Sequence, residues 1–380
     1  MNILLIQWEN RKRRRINFLD SKMLAYIVNI VYIVFVFGFS FFSQKLQVKL
    51  VLGKISKSLT KLQHMRDKAR DEALSAIIEL GKPEGDPKPR LDTLLHFFSI
   101  QPSSMDPSGV VKRLECLVDA ADERVKDEVK ALAPAADESQ IQNLQNLVET
   151  ARGLNSLYRT VRHHYLAGKK GGTLFSTVQI QMELPMIMEE AEAYFSFIGA
   201  FKQGKPIGDG VGPLVASKLM ADASPREVAK DMVAAEVNIE GRTVAVTKAK
   251  GPGGNVGKPG DAVAKLIEEY DRKVSLIVMV DAGLKLEGEN SGYVVEGVGA
   301  AIGGVGVEKF KIEELATKYE VPVYAMIVRQ SLKEVLSPMT DVLIDSVDVV
   351  LKRIGRVIRE RTKEGNTVLV VGVGNTIGIA

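Results

Sequence analysis

Three acidic side chains close to one lysine are the residues of this chain that could do chemistry together. Asp281 directly follows an apolar run that ends at Val280, and Lys285, Glu287 and Glu289 come within eight residues of it. Carboxylate oxygens are the ligands that Mg²⁺ prefers, so Asp281, Glu287 and Glu289 form a candidate magnesium site. In an enzyme, Asp281, Lys285 and Glu287 would be the catalytic groups. The alternative is an acidic loop in solvent, because a metal binds only where carboxylates converge in space.

A glycine-rich segment upstream has the composition of a phosphate-binding loop. Residues 250–260 contain five glycines between a predicted strand and a predicted helix, and residues 281–306 contain eight more. Backbone N–H groups at such a junction can surround a phosphate. No standard nucleotide motif is satisfied, and a mobile surface loop explains the composition equally well. The residues expected to bind a cofactor are Lys250, Gly251, Gly253, Gly254, Asn255, Lys258, Gly303 and Gly304.

Two further glycine-rich segments belong to the same half of the chain. Residues 372–378 read G-x-G-x-x-x-G after a predicted strand, but no helix follows to lend its N-terminus to a dinucleotide. These glycines are therefore expected to line the same crevice rather than to bind a nicotinamide cofactor. Residues 206–213 join two regions of different pattern and would place Asp209 at their interface, where pockets commonly form. A hinge is the other interpretation of that segment.

The elements that must position these residues form an α/β domain over residues 204–380. Apolar, β-branched runs predict strands at 237–249, 273–282, 321–328 and 367–373, and helical patterns lie between them at 261–270, 308–319 and 340–362. Such alternation favours a Rossmann-like, three-layer domain with a mostly parallel sheet. Upstream, residues 82–203 carry helical periodicity at 110–133, 140–167 and 175–201 and predict an all-helical subdomain.

The N-terminal part has the pattern of a membrane anchor. Residues 23–42 contain no charge and are long enough, as a helix, to cross the roughly 30 Å hydrocarbon core of a bilayer. They follow a basic extension over 1–22 and precede a basic helical stem over 44–80. A cleaved signal peptide is the alternative, but its apolar stretch would be shorter and would end in small residues. The stripe of the stem is compatible with a homo-oligomer and also with a helix lying on the membrane.

Charge and cysteine content bear on location and partners. Residues 1–70 hold 14 Lys and Arg against 3 Asp and Glu, a net of +11, so the overall +4 leaves −7 on the rest of the chain. A body of that charge is a poor candidate for binding nucleic acid, which draws its affinity from phosphate neutralisation. The single cysteine, Cys116, fits a reducing compartment. Both flanks of residues 23–42 are basic, so the positive-inside rule alone does not decide the orientation. If translation begins at Met23, only the lysines after residue 42 remain, and with Cys116 they favour a single-pass protein of the cell membrane with its body in the cytoplasm.

The glycine-rich segments also resemble a known family. GPGGNVGKPG at 251–260, DAGLKLEGENSGYVVEGVGAAIGGVG at 281–306, residues 206–213 and the C-terminal GVGNT are similar to an uncharacterised archaeal family with one N-terminal membrane helix. The resemblance spans nearly the whole chain from residue 23 and implies an anchored, soluble α/β body. It implies no activity.

These observations predict a membrane-anchored cytoplasmic protein whose α/β domain binds a phosphate-bearing small molecule or nucleotide with Mg²⁺. Its partners would be the bilayer, through residues 23–42, and that ligand. If it is an enzyme, it catalyses phosphoryl transfer or hydrolysis, because no Ser/His/Asp group and no reactive cysteine environment is visible. The competing hypothesis is a non-catalytic membrane scaffold that recruits a protein through its helical subdomain.

Overall fold

The computed structural model describes residues 2–100, 109–170, 174–304 and 306–380, and its contacts group into two units. One unit comprises Met1–Leu59 and Val161–Leu184, and the other comprises Thr60–Thr160 and Pro185–Ala380. The second unit contains the whole α/β part together with most of the helical subdomain.

The N-terminal region is one long helix, α1, over Asn2–Gly81. It takes in the predicted extension, anchor and stem without a break. The large apolar side chains between residues 23 and 42 face outward, and Phe35 is 67% exposed. Within the part of the chain that the structure describes, Lys22–Gly81 is the one helix long and apolar enough to cross a membrane. A signal sequence or the core helix of a soluble protein would meet the same criteria of length and composition.

The helical subdomain begins with a short helix that was not predicted, α2 (Lys88–Leu94). The three helices that the apolar periodicity predicts follow it, namely α3 (Val110–Leu132), α4 (Glu138–Lys169) and α5 (Leu174–Gln203). In the second unit the buried face of α4 includes Leu144, Leu147 and Leu154, which recur at helical spacing. A proline lies inside α5, at Pro185.

The α/β part contains seven strands and five helices among its described residues. In chain order they are a 3₁₀ turn (Gly208–Gly210), α6 (Val211–Leu219), β1 (Arg226–Ala229), β2 (Met232–Ile239), β3 (Arg242–Ala249), α7 (Pro259–Glu269), β4 (Val274–Leu284), β5 (Val294–Val298), α8 (Val307–Lys318), β6 (Val323–Gln330), α9 (Leu332–Leu336), α10 (Asp341–Arg361) and β7 (Thr367–Gly372). Each predicted strand and helix of this part is present.

The seven strands form one sheet in the order β1-β2-β3-β7-β4-β6-β5. The central strands β3, β7, β4 and β6 are parallel to one another, while β2 and β5 are antiparallel to the strands beside them. Five of the seven strands therefore run in the same direction, which confirms the mostly parallel sheet. The two short edge strands, β1 and β5, were not predicted from the sequence. Neither shows the long apolar run of a strand buried on both faces.

Helices cover both faces of this sheet, as the three-layer prediction requires. On one face α6 and α10 pack on the sheet through residues such as Val215 and Val350. On the other face α7 and α8 pack through Leu266 and Ile312. The crossover from β3 to β4 uses α7, and the crossover from β6 to β7 uses α10 and runs in the opposite direction along the sheet. Two crossovers of the same handedness that move in opposite directions along a sheet must place their helices on opposite faces, as α7 and α10 do here.

The relation to Rossmann-like domains stays a prediction. The layers agree with it, but three of the six neighbouring strand pairs are antiparallel. The parallel strands follow the order β3-β7-β4-β6, which is not the 3-2-1-4-5-6 order of dinucleotide-binding domains.

Candidate functional site

Asp281 lies at the carboxyl edge of the sheet, although its own strand continues beyond it. The last residue of β7 that pairs with β4 is Gly372, opposite Val280, whereas β4 continues alongside β6 to Leu284. Asp281 is therefore the first β4 residue beyond the end of β7. Its side chain is buried, with 7% of the residue exposed, and its Oδ1 accepts a hydrogen bond from the N–H of Ala282 at 2.7 Å. Ligands in open α/β sheets bind at this edge.

Asp209 reaches the same place from the 3₁₀ turn that leads into α6. Its Oδ2 accepts a hydrogen bond from the backbone N–H of Asn375 at 2.8 Å. Gly374 lets the chain after β7 cross this turn closely, since a Cβ there would lie 1.9 Å from the carbonyl oxygen of Asp209, and its φ is +135°. Hence a glycine in the G-x-G segment provides close backbone approach rather than a dinucleotide loop.

The two carboxyl groups share an environment that disfavours their charged forms. Burial, and then the charge of Asp209, raises the pKa of Asp281 to about 8, while the N–H groups of Ala282 and Gly303 act in the opposite direction. Burial also raises the pKa of Asp209, opposed by the N–H of Asn375. Asp209 is partly exposed and lines two cavities. The shift of Asp281 marks a carboxyl that can exchange a proton near neutral pH or accept a cation.

A cavity of about 400 Å³ opens over these carboxyls, between α3 and the carboxyl edge of the sheet. Gly303 and Gly304, two of the predicted cofactor residues, lie in its wall at the approach to α8. Its charged lining is six carboxyl groups and one lysine, namely Glu115, Asp119, Asp122, Asp209, Asp281, Glu308 and Lys258. The lysine is bound, because Lys258 Nζ lies 2.7 Å from both carboxylate oxygens of Asp119. Lys311, which is not among the lining residues, pairs with Glu115 and Glu308 at 2.6 and 3.1 Å. The cavity is therefore lined mainly by carboxyl groups, half of which are paired with a lysine.

Two adjoining cavities extend this space into one crevice. The second, of about 260 Å³, shares Asp119, Asp122 and Lys258 with the first. The third, of about 550 Å³, shares Asp209 with the first and Asn375 with the second. We call the first the acidic cavity and the third the aromatic compartment, because Phe97, Phe98, Tyr194 and Phe197 line it. The crevice runs along the junction between the helical subdomain and the α/β part, where the sequence placed Asp209.

The glycine-rich loop 250–258 is packed against protein groups. The N–H of Gly254 donates to Asn143 Oδ1 at 2.7 Å, and its carbonyl accepts from Asn146 Nδ2 at 2.6 Å. Thr376 Oγ1 donates to the carbonyl of Gly253 at 2.7 Å, and the N–H of Gly257 donates to Asn255 Oδ1 at 2.8 Å. These amides are bonded within the protein, so the loop fastens α4 and the C-terminal segment to the sheet instead of presenting an open phosphate cradle.

The lysines and the closely packed glycines of that loop have separate roles. Lys258 lines the acidic cavity, whereas Lys250 is exposed and lies 3.3 Å from Glu227. A Cβ at Gly251 would lie 1.7 Å from the carbonyl oxygen of Ile379, so this glycine serves a close contact. The structure thus brings only part of the predicted phosphate set to the crevice.

The predicted metal ligands Glu287 and Glu289 do not join Asp281. Because β4 runs on to Leu284, the chain carries both away from the carboxyl edge. Glu287 is exposed, and Glu289 accepts from the N–H of Leu286 at 2.8 Å. Among the described residues, no group of three His, Cys, Asp or Glu side chains is arranged to hold a metal. Of the described side chains that line the crevice, none is Lys285, Glu287 or Glu289.

Helix α3 brings to the acidic cavity three carboxyl groups that were not predicted as site residues. Glu115, Asp119 and Asp122 follow one another at steps of four and three, which places them on one face of α3. This acidic stripe could have indicated a site, but the same pattern occurs on a helix face that is exposed to solvent. Asn375 was also missed, since its contacts are with Asp209 and Asn146, more than 160 residues away along the chain.

Comparison with known proteins identifies the family. A model described as "Protein of unknown function (DUF1512) N-terminal domain" matches residues 29–204. A second, described as "Domain of unknown function (DUF1512) C-terminal", matches residues 207–380. No curated protein matches the chain. The two family models together take in nearly the whole sequence, and the chain belongs to the DUF1512 family.

Proposed function

We propose that this protein is a membrane-anchored binding protein whose acidic cavity takes a small ligand with a positively charged centre. A phosphate-bearing molecule enters this cavity together with Mg²⁺. The observation that carries the proposal is that buried Asp281 and partly exposed Asp209 line the same cavity at the carboxyl edge of the sheet. A cation placed between them removes the repulsion between their charges and offsets the cost of burying them.

The lining supports a cation more strongly than a free anion. Only Lys258 offers a positive charge among the described side chains of the acidic cavity, and Asp119 already neutralises it. A phosphate group without a metal would face carboxylates on several sides. If the protein is an enzyme, Asp281 is the residue best placed to move a proton in phosphoryl transfer or hydrolysis, because its pKa lies near neutral pH.

The ligand experiment uses the full chain in detergent micelles and measures the thermal midpoint. MgCl₂ or MnCl₂ is added alone and with ATP or pyrophosphate, for wild type, Asp281→Asn and Glu287→Gln. We expect the cation to raise the midpoint of wild type and of Glu287→Gln but not of Asp281→Asn. Of these two carboxyl groups, Asp281 lines the cavity and Glu287 does not. A ligand at a hundred times its dissociation constant adds about 2.7 kcal/mol of stability.

Two results would count against this proposal. If no cation or phosphate compound raises the midpoint of the wild type, the crevice is not a cation site, and a protein-binding scaffold becomes the better hypothesis. If the rise persists unchanged in Asp281→Asn, the ligand binds elsewhere.

The membrane part of the proposal rests on α1. Twenty uncharged residues with outward-facing Phe, Tyr and Ile side chains fit a lipid environment, whereas the core helix of a soluble domain would have most of that surface buried. We place the body in the cytoplasm and the protein as a single-pass component of the cell membrane.

The single cysteine gives a direct test of this topology. Cys116 lies on α3 and is exposed, so a membrane-impermeant maleimide can label it wherever the body is accessible. We expect the protein to stay in the membrane pellet after alkaline carbonate extraction, and Cys116 to react only after the cells are permeabilised. Labelling in intact cells would place the body outside, and release by carbonate would contradict the anchor.

A further inference from the structure

The aromatic compartment is a second, chemically different part of the crevice. It has a volume of about 550 Å³, which is within the range of small-molecule sites. Phe97 and Phe98 approach it from the chain after α2, and Tyr194 and Phe197 approach it from α5. Phe197 is buried, whereas 74% of Phe98 is exposed. Aromatic side chains of this kind offer ring faces and edges to a planar ligand.

Local packing holds the two aromatic walls in place. Gly153 of α4 lets the ring of Tyr194 lie directly on the helix, since a Cβ there would be 3.0 Å from two ring atoms. On the other side, Asn155 Nδ2 donates to the carbonyl of Leu95 at 3.0 Å and fixes the chain just before Phe97. The compartment therefore has a defined shape, with Phe98 as its exposed wall.

The compartment also carries polar groups suited to a ring with heteroatoms. Arg152 lies over the Phe97 ring with 5.8 Å between its Cζ and the ring centroid, and it pairs with Glu149 at 2.5 Å. Asn375 Nδ2 donates to Asn146 Oδ1 at 3.1 Å where the compartment meets the rest of the crevice. Planar guanidinium and amide groups can stack on, or hydrogen-bond to, a heterocycle.

Asp209 connects this compartment with the acidic cavity, because it lines both. A single elongated molecule can therefore reach the acidic cavity at one end and the aromatic walls at the other. Resting on the proposed function, we infer that the ligand is a mononucleotide-like molecule, with a planar ring in the aromatic compartment and a metal-bound phosphate group beside Asp209 and Asp281. The ring covers the exposed face of Phe98, and the metal lets the phosphate approach the carboxyls.

The experiment separates the ring from the phosphate end by titration calorimetry on the full chain in micelles. The probes are Mn²⁺ alone, Mn²⁺ with pyrophosphate, Mn²⁺ with ADP, and adenosine without metal. Phe98→Ala removes the exposed wall, and Phe310→Ala is the matched control, since Phe310 is 45% exposed on α8 and is not among the crevice residues. Stacking of a base on an aromatic side chain contributes about 1–3 kcal/mol.

We expect Mn²⁺ with ADP to bind at least about tenfold more tightly than Mn²⁺ with pyrophosphate. Phe98→Ala should abolish that difference and leave pyrophosphate binding unchanged, while Phe310→Ala should alter neither. Equal affinity for the two probes, with no effect of Phe98→Ala, would overturn the inference and leave the proposed function standing. Adenosine binding that depends on Phe98, with no binding of Mn²⁺ or pyrophosphate, would instead support the compartment and refute the proposed function.

Discussion

Replacing Asp281 with asparagine should make the protein more stable at neutral and alkaline pH. The native state keeps the proton on Asp281 up to about pH 8, whereas a carboxyl in the unfolded chain loses it near pH 3.8. Between those values the native state binds more protons than the unfolded state, so the free energy of unfolding falls by about 1.4 kcal/mol for each pH unit. Below pH 3.8 this carboxyl is protonated in both states and contributes no dependence.

The expected size of the effect follows from that slope. Over three units, from pH 5 to pH 8, the wild type loses about 4 kcal/mol through this carboxyl. At about 2 °C for each kcal/mol in a protein of this size, the midpoint should fall by roughly 8 °C. The asparagine variant has no proton to lose, and its amide oxygen can accept the same hydrogen bond from Ala282. Its advantage over the wild type should therefore be small at pH 5 and grow toward pH 8.

The assay is thermal unfolding followed by circular dichroism, on the full chain in a non-ionic detergent at pH 5, 6, 7 and 8 with EDTA present. Glu287→Gln is the control, because it makes the same chemical change on an exposed side chain. It should follow the wild type at every pH. If Asp281→Asn also follows the wild type, or is less stable at pH 8, the account of the buried carboxyl pair is wrong.

Three further predictions concern the residues around the crevice. Asp209→Asn removes one of the causes that raise the pKa of Asp281, so the pH-dependent loss of stability should level off at a lower pH in this variant than in wild type, as seen in the same thermal series. Gly374→Ala should lower the midpoint sharply or prevent folding, because an added Cβ would collide with the carbonyl oxygen of Asp209. Gly303→Ala is the control and should melt like wild type, because a Cβ there meets no atom within 4 Å. Equal midpoints for the two variants would contradict the close crossing at Gly374. Lys311→Met removes the cation that pairs with Glu115, Asp261 and Glu308. The free energy of unfolding should fall by about 2 kcal/mol at pH 7 and by less at pH 4. A loss of stability that does not depend on pH would refute the ion-pair explanation.

Much of the fold was predictable because its central strands are buried on both faces. Strands β4 and β7 carry runs of consecutive buried residues, such as those at 276–280 and 368–371, and such runs show directly in the sequence. The helices followed from apolar residues at helical spacing. The edge strands β1 and β5 were missed, because each has few buried positions and their pairing depends on neighbours elsewhere in the chain.

The candidate site was predictable at single positions but not as a set. Asp281 lies at the carboxyl edge of the sheet, as its position after an apolar run suggested. Asp209 lies at the junction of the two parts of the chain, as the glycine-rich segment 206–213 suggested. Glu287 is not among the residues that line the crevice with Asp281, for a local reason. An extended strand rises about 3.3 Å for each residue, so the continuation of β4 carries later residues far from Asp281. The role of the glycine-rich loop depended on Asn143 and Asn146, whose contacts span more than 100 residues.

The carboxyl groups around the acidic cavity decide which ligands the crevice can admit. Two unit charges 4 Å apart interact by about 4 kcal/mol at an effective dielectric constant of about 20. Of the six carboxyls, Asp119 is already paired with Lys258, and Glu115 and Glu308 are paired with Lys311. Burial favours the protonated forms of the other three, Asp122, Asp209 and Asp281. A free phosphate compound therefore meets no unpaired cation among the described lining residues, whereas the same compound carrying Mg²⁺ presents its cation to these carboxyls. On this argument, raising the Mg²⁺ concentration should increase the affinity for the phosphate compound itself, and binding that is insensitive to Mg²⁺ would contradict it.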